Sequence, residues 1–247
     1  MKDYTREYKS KNVLITGGAG CIGSNLTKAL VEAEAGKIIV LDDLSAAEKW
    51  NVPVDPKVIF VEGSVLDDEI LKRVFSMRLD YVFHLAAHFA NQNSVDNPET
   101  DLEVNGLGTL KVLEYSHLAK VSKFVFASSG CSVYGSQAPL PLKEDYVSLH
   151  LDTPYQITKL LGELYCNFFH NYYGLPVAIA RYFNVYGPGE IPGAYRNVIP
   201  NFMWWALHKM PLPVTGTGEE TRDFTYVDDI VDGTLRLGAI PQAVGDA

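Results

Sequence analysis

Short, nearly uninterrupted apolar runs alternate along the chain with longer stretches in which apolar residues recur every three or four positions. The runs are residues 13–16, 37–41, 58–61, 81–85, 124–127 and 177–180. They lack the strict apolar–polar alternation of a half-exposed strand, so each is expected as a strand covered on both faces. Residues 22–34, 67–75, 98–119 and 154–173 carry helical spacing between them. Strand–helix alternation of this kind predicts an α/β fold built on a doubly wound parallel sheet. After Arg181 the pattern lapses. Gly, Pro and Asn become frequent, and only short elements are expected around residues 196–209 and 226–237. The chain therefore divides near residue 180, with a regular α/β domain over 1–180 and a smaller part over 181–247.

Composition narrows the function classes. With 247 residues, 47% of them hydrophobic and 21% charged, the chain has enough apolar material for a sizeable core, which excludes disorder. The formal net charge is −9 with no basic run, a poor match to nucleic acid or an anionic membrane surface. Cys21, Cys131 and Cys166 are an odd number without short spacing, which excludes a disulfide framework and a zinc knuckle and fits a reducing compartment. Residues 1–12 are too polar for a secretory signal. The apolar stretch 198–207 is short and interrupted by Pro200 and Asn201, so no membrane span is expected. The expectation is a cytoplasmic protein.

Chemistry enters directly after the first run. Gly17, Gly20 and Gly23 are spaced G-x-x-G-x-x-G between a strand and the helix it feeds. Glycines there permit a tight turn and close approach of backbone to a pyrophosphate, which then meets the helix N-terminus; this is the Rossmann-type arrangement. Asp42, about 20 residues beyond Gly23, stands where an acid accepts hydrogen bonds from the adenosine ribose. Its charge would repel a 2′-phosphate and no arginine is near in sequence, favouring NAD over NADP. The alternative is a strand-end turn aspartate, a role Asp43 shares. Tyr155 and Lys159 lie at i, i+4 near the start of a helix and so share a face. A phenol titrates near 10, but a neighbouring ammonium and an oxidised nicotinamide both favour phenolate, making Tyr155 a candidate base.

With these residues in view, the sequence resembles the extended short-chain dehydrogenase/reductase family, within it the nucleotide-sugar epimerases and dehydratases, especially those acting like UDP-glucose 4-epimerase. The matching stretches are residues 16–23, Asp42-Asp43-Leu44-Ser45, His84-Leu85-Ala86-Ala87, 128–135, 155–159, 181–188 and 216–229. The resemblance implies that Lys159 also holds the nicotinamide ribose, and that Ala86 and Ala87 line the cofactor pocket. It adds Cys21, Ile22, Leu44, Ser45, Ser64, Val65, Leu85 and Tyr182 as cofactor contacts. Residues 181–247 become part of a sugar-nucleotide-binding domain that continues further in relatives. Asn184, Arg222 and Asn197 become candidates for the substrate diphosphate, arginine because its fork fits phosphate oxygens. Alternatively, Arg222 forms a surface ion pair with Glu219, Glu220 or Asp223, and Asn184 is a turn residue before Gly187-Pro188. A homodimer through paired helices is also implied, with Tyr165, Phe168, Phe169 and Tyr172 as a packing stripe.

Departures from the family pattern choose among reactions. A serine or threonine that bonds the reacting hydroxyl is expected four residues before Tyr134, where this chain has Gly130; Ser129 or Ser132 would have to substitute. Ser64 replaces an adenine-contacting aspartate. Dehydratases of the family carry Asp-Glu where this chain has Cys131 and Ser132, and related decarboxylases a glutamate at 132. Elimination therefore lacks its acid–base partner. The expected reaction is epimerisation at C4 of a UDP-hexose or UDP-hexuronate, with Tyr155 as acid and base and NAD taking and returning a hydride. A nucleotide-sugar reductase, dehydrogenase or decarboxylase, and a non-catalytic NAD-binding scaffold, are the alternatives. His84 and His88 are expected to be packing residues rather than metal ligands, His84 at the sheet edge. Phe202, Met203, Trp204 and Trp205 are expected in core or subunit packing rather than on a nucleotide base.

Overall fold

The six apolar runs form one parallel sheet. The computed structural model describes residues 3–245, the side chain of Cys131 excepted. After a 3-10 turn the chain runs β1 (Val13–Thr16), α1 (Cys21–Glu32), β2 (Ile38–Asp42), β3 (Val58–Glu62), α2 (Asp68–Phe75) and β4 (Tyr81–His84). Then come α3 (Asn91–Asp96), α4 (Pro98–Asp101), a π-helical turn (Leu102–Leu107), α5 (Gly108–Ala119), β5 (Lys123–Ser129) and α6 (Gly130–Val133). The last third carries α7 (Pro154–Tyr173), β6 (Val177–Tyr182), β7 (Asn184–Tyr186), α8 (Val198–Leu207), β8 (Phe224–Tyr226) and α9 (Val227–Ala239).

Strand order is β3-β2-β1-β4-β5-β6, with β1 in parallel register against both β2 (Val13 opposite Ile38) and β4 (Val13 opposite Tyr81). This is the dinucleotide-fold order, which reverses direction between β1 and β4 and opens a crevice there at the strand carboxyl ends. The pleat sends alternate residues to two separate cores. Leu14, Ile39 and Val82 join one with α2, α5 and α7, while Val13, Ile15, Ile38 and Phe83 join the other with α1 and α9.

The helices that set the crevice have clear ends. Asp67 caps α2 by accepting from Glu69 and Ile70 N–H, and acids in its first turn with Lys72 and Arg73 in its last suit the helix dipole. On α7, Thr153 and Gln156 form a capping box, Pro154 takes the first position, and Gly174 closes the helix in the left-handed conformation at φ 70°. Gly162 lets α7 lie directly on β5, since a Cβ there would fall 2.3 Å from Cζ of Phe126.

Several expectations are adjusted. Residues 98–119 are one helical run only in outline, because the π turn divides α4 from α5. β6 extends to Tyr182, past the division near residue 180. α9 returns to the main sheet, where Val227, Val231 and Leu235 are buried beside α1 and Tyr8 Oη donates to the Leu235 carbonyl at 2.5 Å. The α8 aromatics are outside both cores; Met203 and Trp204 are exposed, and of that helix only Pro200 is buried.

Candidate active site

The residues singled out in sequence converge on the carboxyl edge of the sheet. Gly17, Gly20 and Gly23 follow β1, Asp42 ends β2, Leu85 to Ala87 follow β4, Ser129 ends β5 and Tyr182 ends β6. One cleft runs across this edge. Its first arm is lined by Gly17, Gly20, Asp42, Asp43, Ser45, Ser64, Val65, Leu85, Ala86 and Ala87. The second carries Cys21, Ile22, Gly23, Ser129, Tyr155, Lys159, Tyr182 and Asn197, and the two share Gly17, Gly20, Ala46, Leu85, Ala87, Phe89 and Arg196. Asn184 lines a third recess, beside Ser129, Tyr155 and Asn197.

The glycines answer to different neighbours. Gly17 has φ 68°, and a Cβ there would lie 2.6 Å from the Ala86 backbone nitrogen, so both conformation and space require glycine. At Gly20 a Cβ would meet only the Gly17 carbonyl, at 3.4 Å, so the protein itself tolerates a side chain there. Gly20 lines both arms of the cleft. Its smallness is therefore explained by something binding against the backbone. Gly20 also precedes α1 without a side-chain cap, leaving the first-turn N–H groups for a ligand anion.

Asp42 is nearly buried and already held as an acceptor. Oδ2 takes the Ala19 N–H at 2.9 Å and Oδ1 the Leu44 N–H at 2.9 Å. Burial pushes its pKa up, against these two bonds. Each oxygen keeps a lone pair for a ribose hydroxyl. Asp43 is the turn residue, accepting from Ser45 N–H at 3.0 Å and from its hydroxyl at 2.6 Å. Leu44 does not line the cleft; it packs against the α1 side core. An arginine does come near: Arg196 donates to the Ala46 carbonyl and lines every arm of the cleft. The preference for NAD therefore rests on Asp42 alone.

Tyr155 and Lys159 sit where β5 meets α7. Lys159 Nζ donates to the Ala127 carbonyl at 2.8 Å and lies 5.7 Å from the centre of the Tyr155 ring. Burial pulls the Lys159 pKa down to about 8, opposed chiefly by Asp101. It remains an ammonium at neutral pH, on the same face of α7 as Tyr155. The Tyr155 ring meets Phe89 edge-on at 6.0 Å, and its backbone N–H donates to Ser94 Oγ at 3.0 Å. Behind the pair is a buried polar cluster. The Asp101 carboxylate accepts from Thr158 at 2.7 Å and from Asn105 at 2.8 Å. Asn105 is presented by the π turn and in turn accepts the His88 N–H at 2.7 Å.

The remaining candidates separate. Ser129 lines the cleft, whereas Ser132 is fully buried and does not. Asn197 donates to Glu190 at 2.6 Å, and burial raises that carboxyl. Asn184 donates to the Asp223 carbonyl at 3.1 Å. Arg222 stands in an exposed run with Nη1 on the Thr221 carbonyl, outside the cleft lining, and no ion pair to Glu219, Glu220 or Asp223 is formed among the described residues. His84 is on an inner strand rather than at a sheet edge; its ring is bonded to Thr16 and Thr109 and burial lowers its pKa to about 3, keeping it neutral. Phe89, Phe183, Glu190 and Arg196 line the site without having been picked out from sequence. Phe183 lay inside the matched stretch 181–188, and Arg196 directly precedes Asn197, so local motif context was the available signal.

Fold and site together define a dinucleotide-binding α/β protein carrying a Tyr–Lys pair at the crevice. The sequence profile of the NAD dependent epimerase/dehydratase family matches residues 13–246, and the chain belongs to this family. A putative UDP-glucose 4-epimerase of Methanocaldococcus jannaschii is 37% identical over 223 residues, covering 90% of this chain and 72% of the relative. Among solved structures, an epimerase of Methanothermobacter thermautotrophicus is 60% identical with a TM-score of 0.97, covering 98% of this chain and 72% of that one. The Bordetella bronchiseptica enzyme WbmF, in complex with NAD+ and UDP, is 40% identical with a TM-score of 0.85, covering 97% and 71%. The open first turn of α1, the unobstructed Gly20 and the acceptor Asp42 fit NAD.

Proposed function

We propose that this chain epimerises a UDP-hexose or UDP-hexuronate at C4, using NAD. The observation that carries the reading is the Tyr155–Lys159 pair at the meeting point of the cofactor arm and a recess lined by Ser129, Asn184 and Asn197. Bound NAD supplies a reversible hydride acceptor. Tyr155, as phenolate, takes the proton of the C4 hydroxyl, and the Lys159 ammonium stabilises that phenolate. Ser129 offers its hydroxyl to the same oxygen. Phe89 and Phe183 wall the site against water, and once the C4 ketone has turned to present its opposite face for reduction, Tyr155 returns the proton to the C4 oxygen. Residues 1–180 hold the cofactor, while residues 181–247 contribute Asn184 and Asn197 to the diphosphate; Arg222, outside the cleft lining, takes no part in this reading. Cys131 and Ser132 stand where dehydratases of the family carry an acid pair, which supports epimerisation over elimination.

The same reading makes the protein a homodimer through α7, where Leu164, Phe168 and Tyr172 are exposed beside the likewise exposed Leu102, Leu107 and Leu118. No helix among the described residues is long and apolar enough to cross a membrane. Free thiols at Cys21 and Cys166 support a cytoplasmic setting. Proton NMR of the anomeric region, with NAD and a panel of UDP-sugars, tests the activity. New anomeric signals without NADH accumulation are expected. Stoichiometric NADH would indicate a dehydrogenase, a 4-keto-6-deoxy product a dehydratase, and NAD binding with an unchanged panel a scaffold.

A further inference from the structure

Gly130 is packed against an aromatic ring. A Cβ at this position would fall 2.4 Å from both Cε2 and Cζ of Phe183, closer than side chains approach one another. The ring is braced in that seat. It stacks on Tyr134 with centroids 6.1 Å apart and planes 14° from parallel. Tyr134 is backed in turn by the Arg181 guanidinium, 5.2 Å from its ring centre. Arg181 is fixed by bonds of 3.0 and 2.8 Å to the buried carboxylate of Glu163. Phe183 thus cannot retreat without disturbing a buried ion pair, and it faces the cleft together with Ser129 and Tyr155.

The neighbouring hydroxyls are not equivalent. Ser128 donates to Glu163 at 2.5 Å. Ser132 is fully buried, off the cleft, and its Oγ has no partner among the described residues. Ser129 lines the cleft and makes no capping bond to α6. We infer that Gly130 and Phe183 form an interlocked steric pair. The ring occupies the space a side chain at 130 would need and walls the sugar site opposite Tyr155, and the hydrogen bond to the reacting oxygen passes to Ser129. The identity of that oxygen rests on the epimerase reading; the steric pair does not. Phe183 acts as a positioning residue, and a serine placed at 130 harms the enzyme.

The test compares Gly130→Ser, Phe183→Leu, the Gly130→Ser/Phe183→Leu double variant and Ser129→Ala in both backgrounds, by NMR turnover with NAD and by thermal unfolding. Gly130→Ser is expected to lower Tm, as overpacking does, and kcat about tenfold or more because the displaced ring shifts the wall of the site, and Phe183→Leu to restore most of both losses. Ser129→Ala is expected to cost about 100-fold in the native background, the usual scale for a lost oxyanion-type donor. In the relieved double variant it costs much less, because the serine introduced at 130 then supplies the hydroxyl; a purely structural role for Gly130 would not produce that difference. The inference is overturned if Gly130→Ser matches the native enzyme, or if Phe183→Leu rescues neither turnover nor Tm. If the native chain converts no UDP-sugar, the epimerase reading fails. The steric pair then stands or falls on whether Phe183→Leu restores the Tm lost in Gly130→Ser.

Discussion

Lys159 is a charged group taken out of water and placed under a tyrosine ring, and it behaves accordingly. Its folded pKa of about 8 lies below the usual 10.5. The unfolded chain therefore binds more protons between those values, and the cost of burying the ammonium, complete below about pH 8, is relieved as pH rises toward 10.5. Native protein should gain stability relative to Lys159→Met across that window, which parallel urea titrations at several pH values would measure. The same loss of charge above about pH 8 should give turnover a falling alkaline limb. For Tyr155→Phe, a loss of about 100-fold or more in turnover is expected with NAD binding intact, since only the proton acceptor is removed. Dinucleotide titration by fluorescence alongside NMR turnover separates the two effects. These residues were legible in sequence because their placement on one face of α7 follows from local spacing. Arg196 was not, because its contact with Ala46 joins positions 150 residues apart. Ser129 and Ser132 were indistinguishable in sequence, and only burial separates them.

Secondary-structure elements were readable where periodicity is long. The pattern at 154–173 matches α7 residue for residue, since Thr153, Gln156, Pro154 and Gly174 mark its ends chemically. β7 and β8 were not readable: each is three residues long, and they pair in parallel across the whole of α8. Nor was the π turn, although Gly106 and Gly108 weaken helical propensity on either side of Leu107. Removing the α7 cap with Thr153→Ala should cost about 1 kcal/mol, read as a lower denaturant midpoint with unchanged slope. Glu163→Gln is a heavier insult. It leaves Arg181 buried without its counter-charge, for which about 3–5 kcal/mol is typical, and it should loosen the stack that seats Phe183.

At the scale of the molecule, the exposed stripe on α7 divides what one sequence pattern had grouped. Phe169 is in the core and Tyr165 packs against it, while Phe168 and Tyr172 stack on each other at 5.4 Å facing outward. Periodicity identified the helix face, but not how much of it the protein's own sheet would cover. Phe168→Glu should convert a dimer to monomer in sedimentation velocity with little change in Tm; a native chain that already sediments as a monomer would remove the dimer from the reading.

The return of α9 to the sheet has a consequence for the chain during its synthesis. Phe83 and Tyr8 are fully buried only once Val231 and Leu235 have been laid over that side. About 150 residues separate Phe83 from Leu235, and at translation rates of about 5–20 residues per second the apolar side of the sheet waits roughly 8 to 30 s for its cover. During that interval the nascent chain offers a sticky, half-finished surface to whatever is nearby.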